Sequence, residues 1–433
     1  MSTFLVARHT ARLQGQVTLP ASKSQSIRAL IFALLAEGES RITQLLDSED
    51  TQHAIAVCRQ LGAEIHVEGQ TTRVKSSGLP LCSQATHINS GNSGITTRFI
   101  LPLLGLRKDC QLPIVLDCEA QMRARPIDSL VDAVRNLGLS VRYLQSEGRY
   151  PIEVQGSLRG GNTTVSGVTS QFLSALLIAL PFAANDSEVS VKNLHERPYV
   201  DLTLEWLQRQ HIGYVRTITG NTDIFKIEGG QRYQAFTTQV AGDFSSASYL
   251  IAAACLIGDE IQLKGLNMAE PQGDKRLVMI LQQMGADIEI LPNSLKIRGG
   301  KPLQGMAIDA NDIPDLVPTL AVIATQATGK TKIYNVPQAR IKETDRLHSM
   351  TVGLRQMGAQ VAEFPDALEV SASQLTGATV QGFGDHRTVM ALALAGLLAQ
   401  GETRITDGEA IAKTFPTYVE CMQRLGAHLA WAS

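Results

Sequence analysis

The chain has 433 residues, too many for one ordinary hydrophobic core, so two domains are expected. With 44% hydrophobic and 18% charged residues it reads as well-packed and globular, which excludes a disordered chain. A net charge of −2 without runs of like charge excludes a global basic field for nucleic acid, so any anion binding must be local.

In chain order, Met1 to Thr10 lacks the basic-then-apolar pattern of a secretory signal. The polar cluster ASKSQSIR then opens an apolar helix, ALIFALLAEG, followed by a β-rich run from Gly38 to Ile42. A second helix closes in RQLG at Gly62, with the strand TTRVKS beyond it. SGNSGITTR opens FILPLLGL, LPIVLD is a strand, and RNLG closes a helix at Gly138. SGVTSQ opens FLSALLIALPFA, RQHIG closes at Gly213, and FKIEG is a strand. The run Phe172 to Ala184 falls short of the ~18 residues of a membrane span and is expected to be a buried helix. AGDFSSAS opens YLIAAACLIG, QQMG closes at Gly285, and SLKIRG is a strand. NDIPD opens LVPTLAVIA, a β-rich run spans Gly329 to Ile333, and RQMG closes at Gly358. GFGDHR opens TVMALALAGLLAQG, Gly401 to Ile405 is β-rich, and QRLG closes at Gly426.

The closing glycines stand 68 residues (Gly358 to Gly426) to 76 residues (Gly62 to Gly138) apart, so one unit recurs six times. Each unit holds one helix apolar all round and one amphipathic helix ending in a glycine suited to a left-handed C′ position. Six βαβ-type units imply two domains of three. The polar clusters fall at helix N-termini, where unpaired N–H groups and the helix dipole attract anions, although each residue alone is an ordinary cap. Lys23, Arg28, Arg98, Arg125, Lys342, Arg346, Arg387 and Lys413 are expected at helix starts. The dipole disfavours cations there, so eight of them point to a polyanionic small-molecule site. The six cysteines show no CxxC pattern or adjacent histidine, which argues against a zinc site or a disulfide framework and for reduced thiols in the cytoplasm.

LPASKSQSIR, SGNSGITTRF, RARPIDSL, VTSQFLSALL, RPYVDLTL, GDFSSASY, IPDLVPTLA, ARIKETDRL, GDHRTVMA and AKTFPTYVE occur in this order over nearly the whole length. In them the chain resembles the 3-phosphoshikimate 1-carboxyvinyltransferase (EPSP synthase) family of enolpyruvyltransferases. KETDRL, GDHR and AKTFP together are its most specific elements. The resemblance implies an α/β fold of two domains, each built from three βαβαββ units with helix N-termini facing the interdomain cleft. Residues 1–21 with 242–433 would form domain I and 22–241 domain II. It implies transfer of the enolpyruvyl group of phosphoenolpyruvate to the 5-hydroxyl of shikimate 3-phosphate, by a monomer without metal or organic cofactor and without nucleic-acid or membrane partners.

By the same resemblance, Lys23, Ser24, Arg28, Thr169, Ser170, Gln171, Tyr199, Asp315, Gln338 and Lys342 would bind shikimate 3-phosphate. Lys23, Gly94, Arg125, Arg346, Arg387 and Lys413 would bind phosphoenolpyruvate. Asp315 would accept the hydroxyl proton and Glu343 transfer a proton, with Lys23 touching both substrates. Read from the residues alone, Asp315 could equally cap the helix beginning LVPTLA, and Glu343 could pair with Arg346. His386 is expected to be a neutral structural histidine. Cys118 is expected to be structural rather than the reactive cysteine of the related UDP-N-acetylglucosamine transferases.

Ile95 and Phe99 depart from the family pattern beside Gly94, and Ile95 is expected to narrow the phosphoenolpyruvate pocket. Gln121, Gln338 and Glu196 also depart from it. Glu196 stands where a serine commonly meets the acceptor's phosphate, so it should either point away, towards Arg197, or mark a different acceptor. The alternatives are a paralogue acting on another phosphorylated cyclic acceptor or on UDP-N-acetylglucosamine, and a non-catalytic anion-binding module.

Overall fold

The computed structural model describes residues 4–432. The chain divides into two compact units: Lys23–Val240, which is continuous, and the chain up to Ser22 together with the chain from Ala241 onward. The described residues form six sheets, three in each unit. All six share one plan: two parallel strands at one side, then two antiparallel pairings. The parallel pair brackets a buried helix, and a second, amphipathic helix leads into the antiparallel hairpin. This is the mixed α/β repeat that the sequence predicts.

In Lys23–Val240 the buried helices are Lys23–Leu35, Gly94–Leu103 and Ser170–Ala179. Gly94–Leu103 is buried throughout. Each of the other two has a single residue not fully buried, Ser24 and Gln171. In the second unit the buried helices are Phe244–Ile257, Val317–Gln326 and His386–Leu398, all within one continuous core. Burial on every side explains why these sequences show apolar runs rather than stripes. Each buried leucine or isoleucine contributes about 1.5–3 kcal/mol to holding these helices in place.

Three of the six sheets are completed by strands distant in the chain. Phe4–Arg8 lies between Glu402–Ile405 and Leu429–Ala432, antiparallel to both. Leu13–Thr18 pairs in parallel with Gly258–Lys264. Strands Tyr233–Gln234 and Thr237–Gln239 supply the parallel partner of Ala36–Thr43.

The amphipathic helices end as expected at five of six places. Gly62, Gly138, Gly285, Gly358 and Gly426 have φ between +88° and +110°. At the sixth the expectation fails: Gly213 is not in the left-handed region, and His211 takes that conformation with φ +57°. The helix Arg197–Arg209 ends four residues before the glycine.

Candidate active site

The sequence-predicted residues fall into two clusters, one per unit. In Lys23–Val240, Lys23 opens its helix and its ammonium pairs with Asp50 (2.9 Å), both buried. Arg28, one turn further on, is also buried. Its guanidinium donates to Thr203 Oγ1 (3.0 Å), the Ser24 carbonyl (3.0 Å) and the Tyr199 carbonyl (2.8 Å), and lies over the Phe99 ring. Burial pulls its pKa down to about 9, with Tyr199 opposing, so it remains a cation at neutral pH among neutral acceptors. Such a desolvated cation favours an incoming anion.

Ser93 caps the helix Gly94–Leu103. A Cβ on Gly94 would lie 2.8 Å from Arg125 Nη1, so the missing side chain is what lets that guanidinium reach the helix start. Ile95 and Phe99 are both buried. Arg98 Nη1 donates to Gln171 Oε1 (2.6 Å), joining this helix start to that of Ser170–Ala179, which Thr169 caps.

Glu196 does not point away from the helix start opened by Ser170. Its carboxylate accepts from the Ser170 N–H (3.1 Å) and the Ser170 hydroxyl (2.8 Å). The neighbouring Arg197 guanidinium holds Asp223 at 2.8 and 2.7 Å.

In the second unit Asp315 lies in a 3-10 turn, Pro314–Leu316, and its two oxygens accept from Arg346 Nη1 (2.6 Å) and Arg387 Nη2 (2.7 Å). Burial opposes its ionisation, but Arg387, Arg346 and Lys342 outweigh burial and hold the carboxyl well below the usual carboxylate range. Arg346 also donates to Glu343 Oε2 (2.5 Å) and to Asp385 (2.9 Å), so one buried guanidinium gathers three carboxylates. Lys413 Nζ donates to the Gly384 carbonyl (2.9 Å), and Gln338 Nε2 to the Asn311 carbonyl (2.7 Å).

Not all the cations open helices. Lys23, Arg346 and Arg387 stand at the first or second helical position, and Arg28 and Arg98 one turn in. Lys342 follows the 3-10 turn Pro337–Ile341, and Lys413 ends the turn Gly408–Lys413. Arg125 lies between the helices Ala120–Arg123 and Asp128–Asn136. Short turns of this kind leave no periodicity in a sequence.

A further regularity repeats six times. The start of each buried helix bonds to a residue 26 to 31 positions on, at or near the opening of the next helix or 3-10 turn except at Lys413, which closes its turn. The pairs are Lys23–Asp50, Asn92–Glu119, Ser170–Glu196, Ser245–Asp274, Asp315–Arg346 and Gly384–Lys413. Sequence reading missed Asp50, Asp274 and Asp385. Asp274 is buried, and desolvation first and then Asp315 push its pKa up to about 7. Asp385 caps His386–Leu398 and has His386 Nδ1 at 3.4 Å. Cys118 is buried, and burial with the nearby Asp117 pushes its thiol up to about 12, the condition of an inert thiol. Among the described residues no cluster of acids, histidines and cysteines could hold a metal ion, and no helix is long and apolar enough to cross a membrane.

The family model for EPSP synthase (3-phosphoshikimate 1-carboxyvinyltransferase) matches residues 7–422. The chain belongs to the EPSP synthase family. A 3-phosphoshikimate 1-carboxyvinyltransferase of Acetivibrio thermocellus is 44% identical over 97% of this chain and 98% of its own. One from Methanocaldococcus jannaschii is 38% identical over 98% of this chain and 99% of its own. Among solved structures, EPSP synthase from Acinetobacter baumannii superposes with a TM-score of 0.83 at 24% identity, covering 100% of both chains. The enolpyruvyl transferase NikO of Streptomyces tendae gives 0.79 at 17%, covering 100% of this chain and 99% of its own. These likenesses carry the fold, and the family assignment rests on the sequence matches.

Proposed function

We propose that this chain transfers the enolpyruvyl group of phosphoenolpyruvate to the 5-hydroxyl of shikimate 3-phosphate, releasing phosphate, as a cytoplasmic monomer. The residues that would bind the substrates are Lys23, Arg28, Arg125 and the Ser170 helix start, with Asp315, Glu343, Arg346 and Arg387.

The observation that carries this reading is Asp315 held by Arg346 and Arg387 beside Glu343. Transfer needs a proton delivered to the methylene carbon of phosphoenolpyruvate and another removed from the attacking hydroxyl. The tetrahedral adduct then gives up a proton from its methyl group and expels phosphate, which reforms the double bond. Two acids beside cations are suited to this. The clamp also orders the steps. While both guanidiniums hold Asp315 its carboxylate is a weak base. When the carboxylate and phosphate of phosphoenolpyruvate engage Arg346 and Arg387, that depression is relieved and Asp315 becomes basic enough to take the hydroxyl proton. The inert Cys118 favours this reading over a transferase that relies on a reactive cysteine.

Phosphate release is measured with each substrate alone and with both, and the product identified by mass. Turnover is expected only with both. Tight binding of phosphoenolpyruvate with turnover of some other acceptor would overturn the assignment. Asp315→Ala is expected to lower kcat by about 10²–10⁴ without raising KM for phosphoenolpyruvate, because it frees both arginines.

A further inference from the structure

Glu196 occupies donors of the Ser170 helix start, which is among the groups proposed to bind the substrates. Its Oε2 accepts from the Ser170 N–H (3.1 Å) and hydroxyl (2.8 Å) and lies 3.5 Å from the Thr169 hydroxyl. The residue is 1% exposed. A helix start with two hydroxyls at its mouth binds one anion well, and a carboxylate and a phosphate cannot both hold the same N–H.

The backbone that brings Glu196 there is fixed from several sides. His195 N–H donates to the Gly167 carbonyl (3.0 Å), and the Glu196 carbonyl accepts from Tyr199 N–H (3.0 Å). The two loops approach so closely that a Cβ on Gly167 would lie 2.4 Å from the Asn193 carbonyl oxygen. Asn193 (φ +50°) and Glu196 (φ +57°) both adopt the left-handed conformation, which costs a non-glycine residue free energy. The loop is therefore built to present this carboxylate. Because the clasp holds the main chain, the route out is rotation about the glutamate's own side-chain bonds.

We propose that Glu196 is an internal competitor for the acceptor's phosphate: it satisfies the donors of Ser170 and Thr169 in the empty protein and is displaced when the phosphate enters. The proposal rests on the acceptor named above. Opening costs the same whatever arrives, so only a group more strongly anionic than a carboxylate displaces Glu196. An acceptor carrying a neutral hydroxyl there instead binds alongside it. Glu196 thus weakens the binding of the phosphorylated acceptor and leaves its unphosphorylated counterpart unaffected.

The test uses the full chain as wild type, Glu196→Ser and Glu196→Gln. Calorimetric titrations with inorganic phosphate, shikimate 3-phosphate and shikimate are paired with turnover assays. Glu196→Ser is expected to bind inorganic phosphate and shikimate 3-phosphate on the order of tenfold more tightly, the scale of one charge-assisted hydrogen bond removed from the competitor. Shikimate affinity and the KM for phosphoenolpyruvate stay unchanged. Glu196→Gln, which loses the charge but keeps an acceptor oxygen, should move the same way by less, and it decides the matter if the serine variant does not fold. Unchanged or weakened binding of both anions in the folded variants, with normal turnover, overturns the competitor and leaves the acceptor assignment standing. Tighter phosphate binding without turnover of shikimate 3-phosphate in any form upholds the competitor and overturns that assignment.

Discussion

At Gly94 the absence of a side chain is the function. A methyl group there would meet Arg125 Nη1 at 2.8 Å, and the flexible guanidinium would give way more readily than the buried helix. Gly94→Ala is therefore expected to raise the KM for phosphoenolpyruvate about tenfold, the scale of one displaced charged contact, while the melting temperature barely moves. Asp274 gives a pH signature. Its folded pKa is raised from 3.8 to about 7, so the folded state holds a proton that the unfolded state gives up. That contribution is present below the unfolded value and is lost as the pH rises through the folded one. Asp274→Asn keeps the neutral shape, so its stability relative to wild type should climb between those two pKa values and then level off. Urea denaturation at a series of pH values measures this, and a constant difference would refute it.

Helix endings separate what the sequence reveals from what it hides. Gly62 has φ +107°, and a Cβ there would lie 2.8 Å from the Cys82 carbonyl oxygen. Gly62→Ala should cost about 1–3 kcal/mol by denaturation. His211 already bears the left-handed strain, so His211→Gly should exchange about 1 kcal/mol of relief for a similar loss of unfolded-chain restriction and leave the midpoint nearly unchanged. The sixfold repeat is legible because five of its endings need glycine and its buried helices need apolar runs. The ending at His211 is illegible because a histidine in that conformation carries no sequence mark. The cations of the candidate site were visible as misplaced charges, but their partners were not. Asp50, Asp274 and Asp385 look like ordinary polar residues near helix starts, and only the register between successive elements brings them to Lys23, Ser245 and Arg346. Glu196 could be singled out as a departure, yet its target depends on the clasp with Gly167, a backbone contact that no side-chain pattern reports.

Across the whole molecule the two units differ in how they are threaded. Lys23–Val240 is one uninterrupted stretch with all three of its sheets built from its own strands. Expressed alone it is expected to unfold in one cooperative transition, seen as coincident loss of far-UV circular dichroism and tryptophan fluorescence from Trp206, which is buried in it. Non-coincident curves would count against it. The other unit depends on Phe4–Arg8, which sits between two strands from the far end of the chain. During translation at about 5–20 residues per second, that strand emerges long before its neighbours and waits on the order of tens of seconds for them. The inserted unit can fold during that interval. The waiting strand offers unpaired edges on both sides, so a ribosome that stalls late leaves a molecule half folded and half adhesive.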